Sequence, residues 1–254
     1  MTEAQYDDPE FFSRYRQMRL QRSGLNEDLE QPALVRLLPR VTGADVLDIG
    51  CGDGTLVRFL ADQGARHVLG IDPSHRMLAI AASHGSSGVS YCRASAESFA
   101  LAPGSVDLVV SSLALHYVAD YQGLVRRVAQ WLRPGGHLIY SVEHPICTAS
   151  NPMTSWHECH GDRHWPVDDY ADEAPRVQSW LGGQVTKHHR RITTLISAIL
   201  ASGLTLSAID EPYPDHDSLA RRPDLADHHR RPPLLIVAAR KLRRPAPTPT
   251  PPLP

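Results

Sequence analysis

The most constraining feature of this chain is a short apolar run that ends in closely spaced glycines and leads straight into a helix-forming segment. Val46-Leu47-Asp48-Ile49 is followed by Gly50-Cys51-Gly52-Asp53-Gly54, and the segment beginning at Thr55 has helical patterning. A buried strand that turns abruptly into a helix needs residues able to take positive φ and to let the backbone approach a ligand closely, and glycine does both. Apolar runs of strand length recur at Asp45–Ile49, His67–Ile71, Val89–Cys92, Val106–Ser111 and His137–Val142. Helical segments lie between them. Thr55–Gln63 is closed by Gly64, Ser74 is placed to cap His75–Ala82, and Asp120 to cap Tyr121–Leu132. Strands alternating with helices at this spacing specify a parallel sheet covered on both faces.

The flanks read differently. Phe11, Tyr15 and Met18 share one helical face over Phe11–Leu20, and a second helix is expected from about Glu27 to Leu38. From His144 to about His189 the alternation breaks into a stretch rich in His, Trp, Asp and Pro, with Gly182-Gly183 at a hairpin turn. An insertion of that length inside a compact domain is expected to be a lid. A helix around Ile192–Leu200 ending at Gly203 and strands at Thr205–Ile209 and Leu234–Ala239 complete the pattern. The division expected is cap helices over 1–40, a main domain over 41–244 with its lid near 144–190, and a disordered Pro-rich tail over 245–254.

Composition excludes several classes of function. The formal net charge is −2, and the paired arginines are scattered beside acids and prolines, so nucleic acid is not the expected partner. Only Lys187 and Lys241 are lysines. The four cysteines are far apart without CxxC spacing, the first ten residues are polar, and no apolar run is long enough to span a bilayer. A reduced cytoplasmic protein, a monomer or homodimer without membrane contact, is expected. His157, Cys159, His160 and His164 cluster, but their spacing matches no zinc knuckle, so no metal is expected and they read as a polar lining of the lid.

The spacing around the glycines discriminates between nucleotide sites. A hydride-transfer enzyme of the G-x-G-x-x-G type would need glycine at position 55, where Thr55 stands. The pattern present is D-x-G-x-G-x-G, from Asp48 to Gly54. Asp72, at the next strand end, can accept both hydroxyls of a ribose. With Gly70-Ile71-Asp72-Pro73-Ser74 and Met77, Arg93-Ala94-Ser95-Ala96-Glu97, Val106 through His116, and Leu132-Arg133-Pro134-Gly135-Gly136, this sequence resembles the class I S-adenosylmethionine-dependent methyltransferases, in particular a bacterial small-molecule group. The motifs span about Tyr6 to Val142.

The resemblance implies a three-layer, doubly wound, mostly parallel seven-stranded sheet whose last strand is antiparallel. It implies S-adenosyl-L-methionine as cofactor. Asp48, Gly50, Gly52 and Ser111 would border it. Asp72 would hold the ribose, and Pro73 and Met77 would line the adenine. Ala96 and Glu97 would contact the adenine through backbone, since Ser95 stands where the family often has Asp. Tyr15 and Arg19 of the cap helix would reach the methionine carboxylate. His189 matches a position of the bacterial group, behind a lid of the Val167-Asp168-Asp169-Tyr170 type.

Methyl transfer from a sulfonium needs in-line placement and, for some acceptors, a base, but no Lewis acid. His116, Glu143 and His144 follow the fourth and fifth strands, at the sheet end where ligands bind, and are the candidates for base or orienting group. Trp156, Trp165 and Trp180, with Phe12 and Tyr15, are candidates to sandwich a flat ring. The expected reaction is methylation of a small aromatic or heterocyclic metabolite at O, N or an activated carbon, as in natural-product tailoring. The alternatives are a nicotinamide-dependent oxidoreductase, a non-catalytic S-adenosylmethionine-binding protein, and a protein or tRNA methyltransferase. Ser111-Ser112-Leu113-Ala114, where an amino-methylating nucleic-acid enzyme would have N-P-P-Y, weighs against a nucleic-acid substrate.

Overall fold

A computed structural model describes residues 3–21, 24–153 and 155–243; the Pro-rich tail expected to be disordered lies outside the described residues. Two short helices open the chain, α1 (Glu3–Asp7) and α2 (Pro9–Leu20). Asp8 caps α2 by accepting the amides of Glu10 and Phe11. The single helix expected over Glu27–Leu38 is a π-helical turn, Asn26–Glu30, followed by α3 (Gln31–Leu37). Pro32 is the physical reason: without an N–H it cannot continue the ladder, so the helix restarts with proline in its first turn.

The alternating region runs β1 (Asp45–Ile49), α4 (Thr55–Asp62), β2 (His67–Asp72), α5 (His75–Ser83), β3 (Val89–Arg93), β4 (Val106–Ser111), α6 (Tyr121–Trp131) and β5 (Leu132–Glu143). Ser74 and Asp120 cap α5 and α6 as their positions predict, accepting from the amides of Met77 and Gly123. The Arg133–Gly136 turn does not precede β5 as a separate element. It is looped out within it: Val106 pairs with Leu132, yet Leu108 pairs with His137. Arg133 donates from this loop to Asp107 at 2.6 Å and Asp45 at 2.8 Å, tying it to the starts of β4 and β1.

The remainder comprises α7 (Pro145–Thr148), the hairpin β6 (His157–Cys159) and β7 (Asp162–His164), the hairpin β8 (Pro175–Trp180) and β9 (Gly183–His188), α8 (Ile192–Ala201), β10 (Leu204–Asp210), α9 (His216–Arg221) and β11 (Leu234–Lys241). The main sheet has seven strands in the order β10-β11-β5-β4-β1-β2-β3. β11, last in the chain, is antiparallel to both neighbours, while the pairs from β5 through β3 are parallel. Side-chain alternation sorts the core into two layers. Leu47, Val109, Tyr140 and Val237 pack with α6 and α8 on one face, and Val46, Leu108, Ile139 and Ile236 pack with α3 and α4 on the other. Chain order reverses between β1 and β4, so their carboxyl ends open the crevice where ligands bind in such sheets.

The insertion expected to be a lid, hereafter the lid, hangs on buried polar hooks. Arg176 of β8 is fully buried and donates to the carbonyls of Ala149, Ala174, Asp172 and, at 3.4 Å, Asp169. His189 is fully buried between the Thr148 hydroxyl at 2.8 Å and the Tyr170 carbonyl at 3.1 Å. Removing the arginine strands several buried acceptors at once, each costing on the order of 1 kcal/mol or more. Arg176→Met is therefore expected to lose about 2–4 kcal/mol of stability in urea unfolding, and trypsin should then cut at exposed Arg163 before it cuts the sheet. A variant as protease-resistant as the wild type would show that the lid is held elsewhere.

Candidate active site

A cavity of about 410 Å³ opens at the carboxyl ends of β1, β2, β4 and β5, between the cap helices and the lid. Gly50 and Gly52 form its floor. Gly50 has φ +74°, and a Cβ there would sit 2.3 Å from the Ala114 Cβ, so no side chain fits. At Gly52 (φ +54°) an added Cβ would meet nothing within 4 Å, so the backbone there faces open space.

Asp72 forms one wall. Its carboxylate accepts the amides of Gly52 at 3.0 Å and Ser74 at 2.8 Å, which fixes it at the end of β2. Burial pushes its pKa up to about 6, against the pull of those two amides. Asp7 docks the cap beside it by accepting from the Ser74 hydroxyl at 2.7 Å and the Arg76 amide at 3.1 Å. Tyr6 and Tyr15 thereby reach the cavity, edge to face with each other. Behind the glycine floor, Asp48 is buried with neither carboxylate oxygen bonded among the described residues. Burial, and then its neighbours Asp72 and Glu30, hold its pKa well above the usual carboxylate range.

The other wall joins sheet to lid. Glu143 ends β5, and its carboxylate accepts a short bond from Lys187 of β9, which also donates to the Gln178 side chain at 2.6 Å. Alternation along β9 turns Val185 and Lys187 inward, and Lys187 is buried. Burial pushes the Glu143 carboxyl up, but Lys187 and His116 together hold it below the ordinary carboxylate range. His116 is buried, lines the cavity, and accepts the Glu143 amide at Nδ1, 3.4 Å away, which leaves the ring proton on Nε2. Burial carries its pKa down to about 4, with Glu143 working against that shift. Trp165 and Trp180 complete this end.

Of the residues expected to act, His116, Glu143, Tyr15, Gly50, Gly52, Asp72, Met77 and Trp180 line the cavity. Several others do not. His144 accepts the Ile146 amide at Nδ1 and bonds Glu211 through Nε2 at 2.8 Å, so one nitrogen caps α7 and the other is held by Glu211. His189 latches the lid. Phe12 lies under the Arg76 guanidinium at 5.8 Å, away from the cavity. Ser111 donates to the Ile49 carbonyl at 2.7 Å and ties β4 to β1, leaving Ser112 and Leu113 on the cavity surface. The Ala96 carbonyl accepts from Arg127, the Glu97 carboxylate accepts the Ala119 amide, and the Pro73 carbonyl accepts from Arg93. Arg19 pairs with Glu27 at 3.2 Å behind the cavity, with its Nη1 buried and unbonded among the described residues. Trp156 packs on Trp165 outside the cavity, and the 157–164 histidines lie on an exposed hairpin.

Sequence reasoning missed Tyr6, Tyr117, Gln178, Lys187 and Arg231, which all line the cavity. Lys187 carried one signal: it is one of only two lysines, at an inward position of a predicted hairpin.

This sheet order, with a glycine floor at the strand reversal and a buried carboxylate at the end of the next strand, defines a Rossmann-like fold. A methyltransferase-domain family profile matches residues 47–140. An S-adenosylmethionine-dependent methyltransferase from Mesorhizobium loti is 42% identical and superposes with a TM-score of 0.81 over 85% of this chain and 100% of its own. An uncharacterized protein of Haemophilus influenzae is 30% identical over 94% of this chain and 97% of its own length. A ubiquinone biosynthesis O-methyltransferase of Aromatoleum aromaticum is 42% identical, but over only 40% of this chain and 44% of its own. The chain belongs to the S-adenosylmethionine-dependent methyltransferases, and S-adenosylmethionine is its cofactor. No helix among the described residues is long and apolar enough to cross a membrane.

His116 yields a direct test of the site's electrostatics. Its ring is expected to stay neutral with the proton on Nε2 and to titrate at about 4, not near the ordinary 6.5, in imidazole NMR. Lys187→Met should move that midpoint upward, because a cation that opposes protonation is gone. A wild-type midpoint near 6.5 would contradict the buried placement.

Proposed function

We propose that this methyltransferase acts on a small aromatic or heterocyclic metabolite, at oxygen, nitrogen or an activated carbon. The observation that carries this reading is one cavity joining the Asp72 wall to the Glu143–Lys187–His116 wall, flanked by Tyr15, Trp165 and Trp180. The first wall suits a nucleoside, and the second, polar between indole rings, suits a flat acceptor. The ubiquinone-pathway relatives, matched over part of their length, have a small-molecule product in their name and lend support.

The residues present fit the cofactor. Asp72 would accept the ribose hydroxyls, and Met77 would pack against the adenine side. Gly50 and Gly52 would let the chain approach closely. Behind the floor the unbonded Asp48 carboxyl, and beyond Tyr15 the spare Nη1 of Arg19, leave one acceptor and one donor that nothing satisfies among the described residues. When bound, S-adenosylmethionine supplies an electrophilic methyl group on a sulfonium whose thioether leaves readily.

On the acceptor side, Glu143 is the one of the three candidates, His116, Glu143 and His144, that takes the part of the base. His144 is committed to its cap, and His116, with its proton on Nε2, is a donor that stays neutral near pH 7. An acceptor O–H or N–H would donate to the Glu143 carboxylate and lose its proton there as the new bond forms, with Lys187 holding that carboxylate in place. His116 Nε2–H would orient a second polar atom of the ring. For an activated carbon, the same groups would only position it.

Two measurements check this reading. Calorimetry should show S-adenosylmethionine affinity falling as pH drops through about 6, where the Asp72 carboxylate that accepts ribose hydroxyls becomes protonated. Asp72→Ala should weaken binding by ~2–3 kcal/mol and abolish that pH dependence; unchanged affinity would remove Asp72 from the ribose site. Separately, methyl-labelled S-adenosylmethionine incubated with phenols, indoles and heterocyclic amines should deliver label to a member of that panel. Label appearing only in protein or tRNA fractions would overturn the small-molecule reading.

A further inference from the structure

Arg231, just before β11, is 9% exposed and lines the same cavity, yet nothing in the proposed chemistry uses it. Its guanidinium lies 3.9 Å from the centre of the Trp165 ring and 5.9 Å from that of Trp156. Nη1 makes a short bond to the Cys147 sulfur, and Nε is buried without a hydrogen-bond partner among the described residues. Cys147 supplies no counter-charge. Burial pushes its pKa up to about 12, and the thiol itself donates to the carbonyls of Pro232 and Pro233.

Charge around the guanidinium does not balance. Glu143 is the carboxylate at this end of the cavity, and it is already bonded to Lys187. His116 is neutral, and burial pushes His144 and His228, which also face Arg231, toward their neutral forms. No ion pair to Arg231 exists among the described residues, and Glu211, bonded to His144, is half exposed outside the cavity lining, so the charged groups that line this end, Lys187, Glu143 and Arg231, leave one positive charge over. A ring face attracts a cation but accepts no in-plane N–H, so Trp165 does not satisfy Nε. A buried charge kept unpaired in a cavity is costly unless a ligand completes it.

We propose that the acceptor substrate carries a carboxylate, which Arg231 binds with its plane fixed against Trp165. This deepens the reading of the cavity as the acceptor site and rests on it. A guanidinium fork matches the two oxygens of a carboxylate. One surplus charge also matches a single negative charge better than the ≈ −1.5 to −2 of a phosphate monoester.

The test uses the full chain loaded with S-adenosylhomocysteine, whose binding is measured first, so that a failed cofactor site is recognised separately. Calorimetry then compares benzoate, benzamide, cyclohexanecarboxylate and phenyl phosphate. Benzoate is expected to bind at least about tenfold more tightly than benzamide. Arg231→Gln should erase that preference and Arg231→Lys should retain part of it, both without changing S-adenosylhomocysteine affinity. Cyclohexanecarboxylate binding as well as benzoate would support the carboxylate site while removing the case for an aromatic acceptor. Benzamide equalling benzoate, neither binding, phenyl phosphate binding most tightly, or a preference that survives Arg231→Gln would each overturn the proposal. Should Arg231→Gln not fold, the wild-type pairs and Arg231→Lys decide the question.

Discussion

The bond between Glu143 and Lys187 is the contact on which the site depends. One partner ends strand β5 and the other lies next to the end of β9 in the lid hairpin, 44 positions later. A buried ammonium without a counter-ion would lose its proton or pull the hairpin away from the sheet, because desolvating a lone charge costs several kcal/mol. Given the pair, Lys187 can sit inward, and the β8–β9 hairpin is drawn against the open end of the sheet. Trp180 and Gln178 then become cavity wall. The ion pair thus sets both the electrostatics of the acceptor region and the position of its roof.

The two walls differ in how they hold charge. On the cofactor side, carboxylates outnumber cations: burial and then Asp72 hold Asp48 above its ordinary pKa, and burial holds Asp72 above its own. On the acceptor side, the cations Lys187 and Arg231 face one carboxylate. An acid-rich wall suits a ligand that arrives with a sulfonium and an ammonium, and a cation-rich wall suits a partner that brings negative charge. Two reactants sorted in this way would meet in one orientation, which is the principal service an enzyme renders to an in-line displacement.

Much of this was legible in the sequence, and the rest was hidden for identifiable reasons. The alternating strands, the caps at Ser74 and Asp120, the Gly182-Gly183 hairpin, the glycine floor and Asp72 all rest on local spacing, which a chain displays directly. His144 and His189 sat in suggestive positions, but their partners, Glu211 and Thr148, are far away in sequence, and those partners turn both rings away from the cavity. Tyr6 was masked by the polar, acidic residues around it. Arg231 looked like one of several surface arginine pairs, and its burial follows only from Trp156 and Trp165 folding back over it.

The hooks that secure the lid have a consequence for how such enzymes diversify. Arg176 and His189 grip the lid through main-chain carbonyls, and Arg190 does the same to the β4–α6 connection at Val118 and Ala119. Every residue type presents a carbonyl, so these clasps place little demand on the identity of what they hold. Cavity-lining residues between them that make no such bond, Met153 for one, can be exchanged for others of similar bulk while the anchoring stays intact. Away from the Glu143–Lys187 pair, where the two coincide, the molecule thus separates fastening from selection, and a new acceptor preference can evolve in that part of the lid without renegotiating how it is attached.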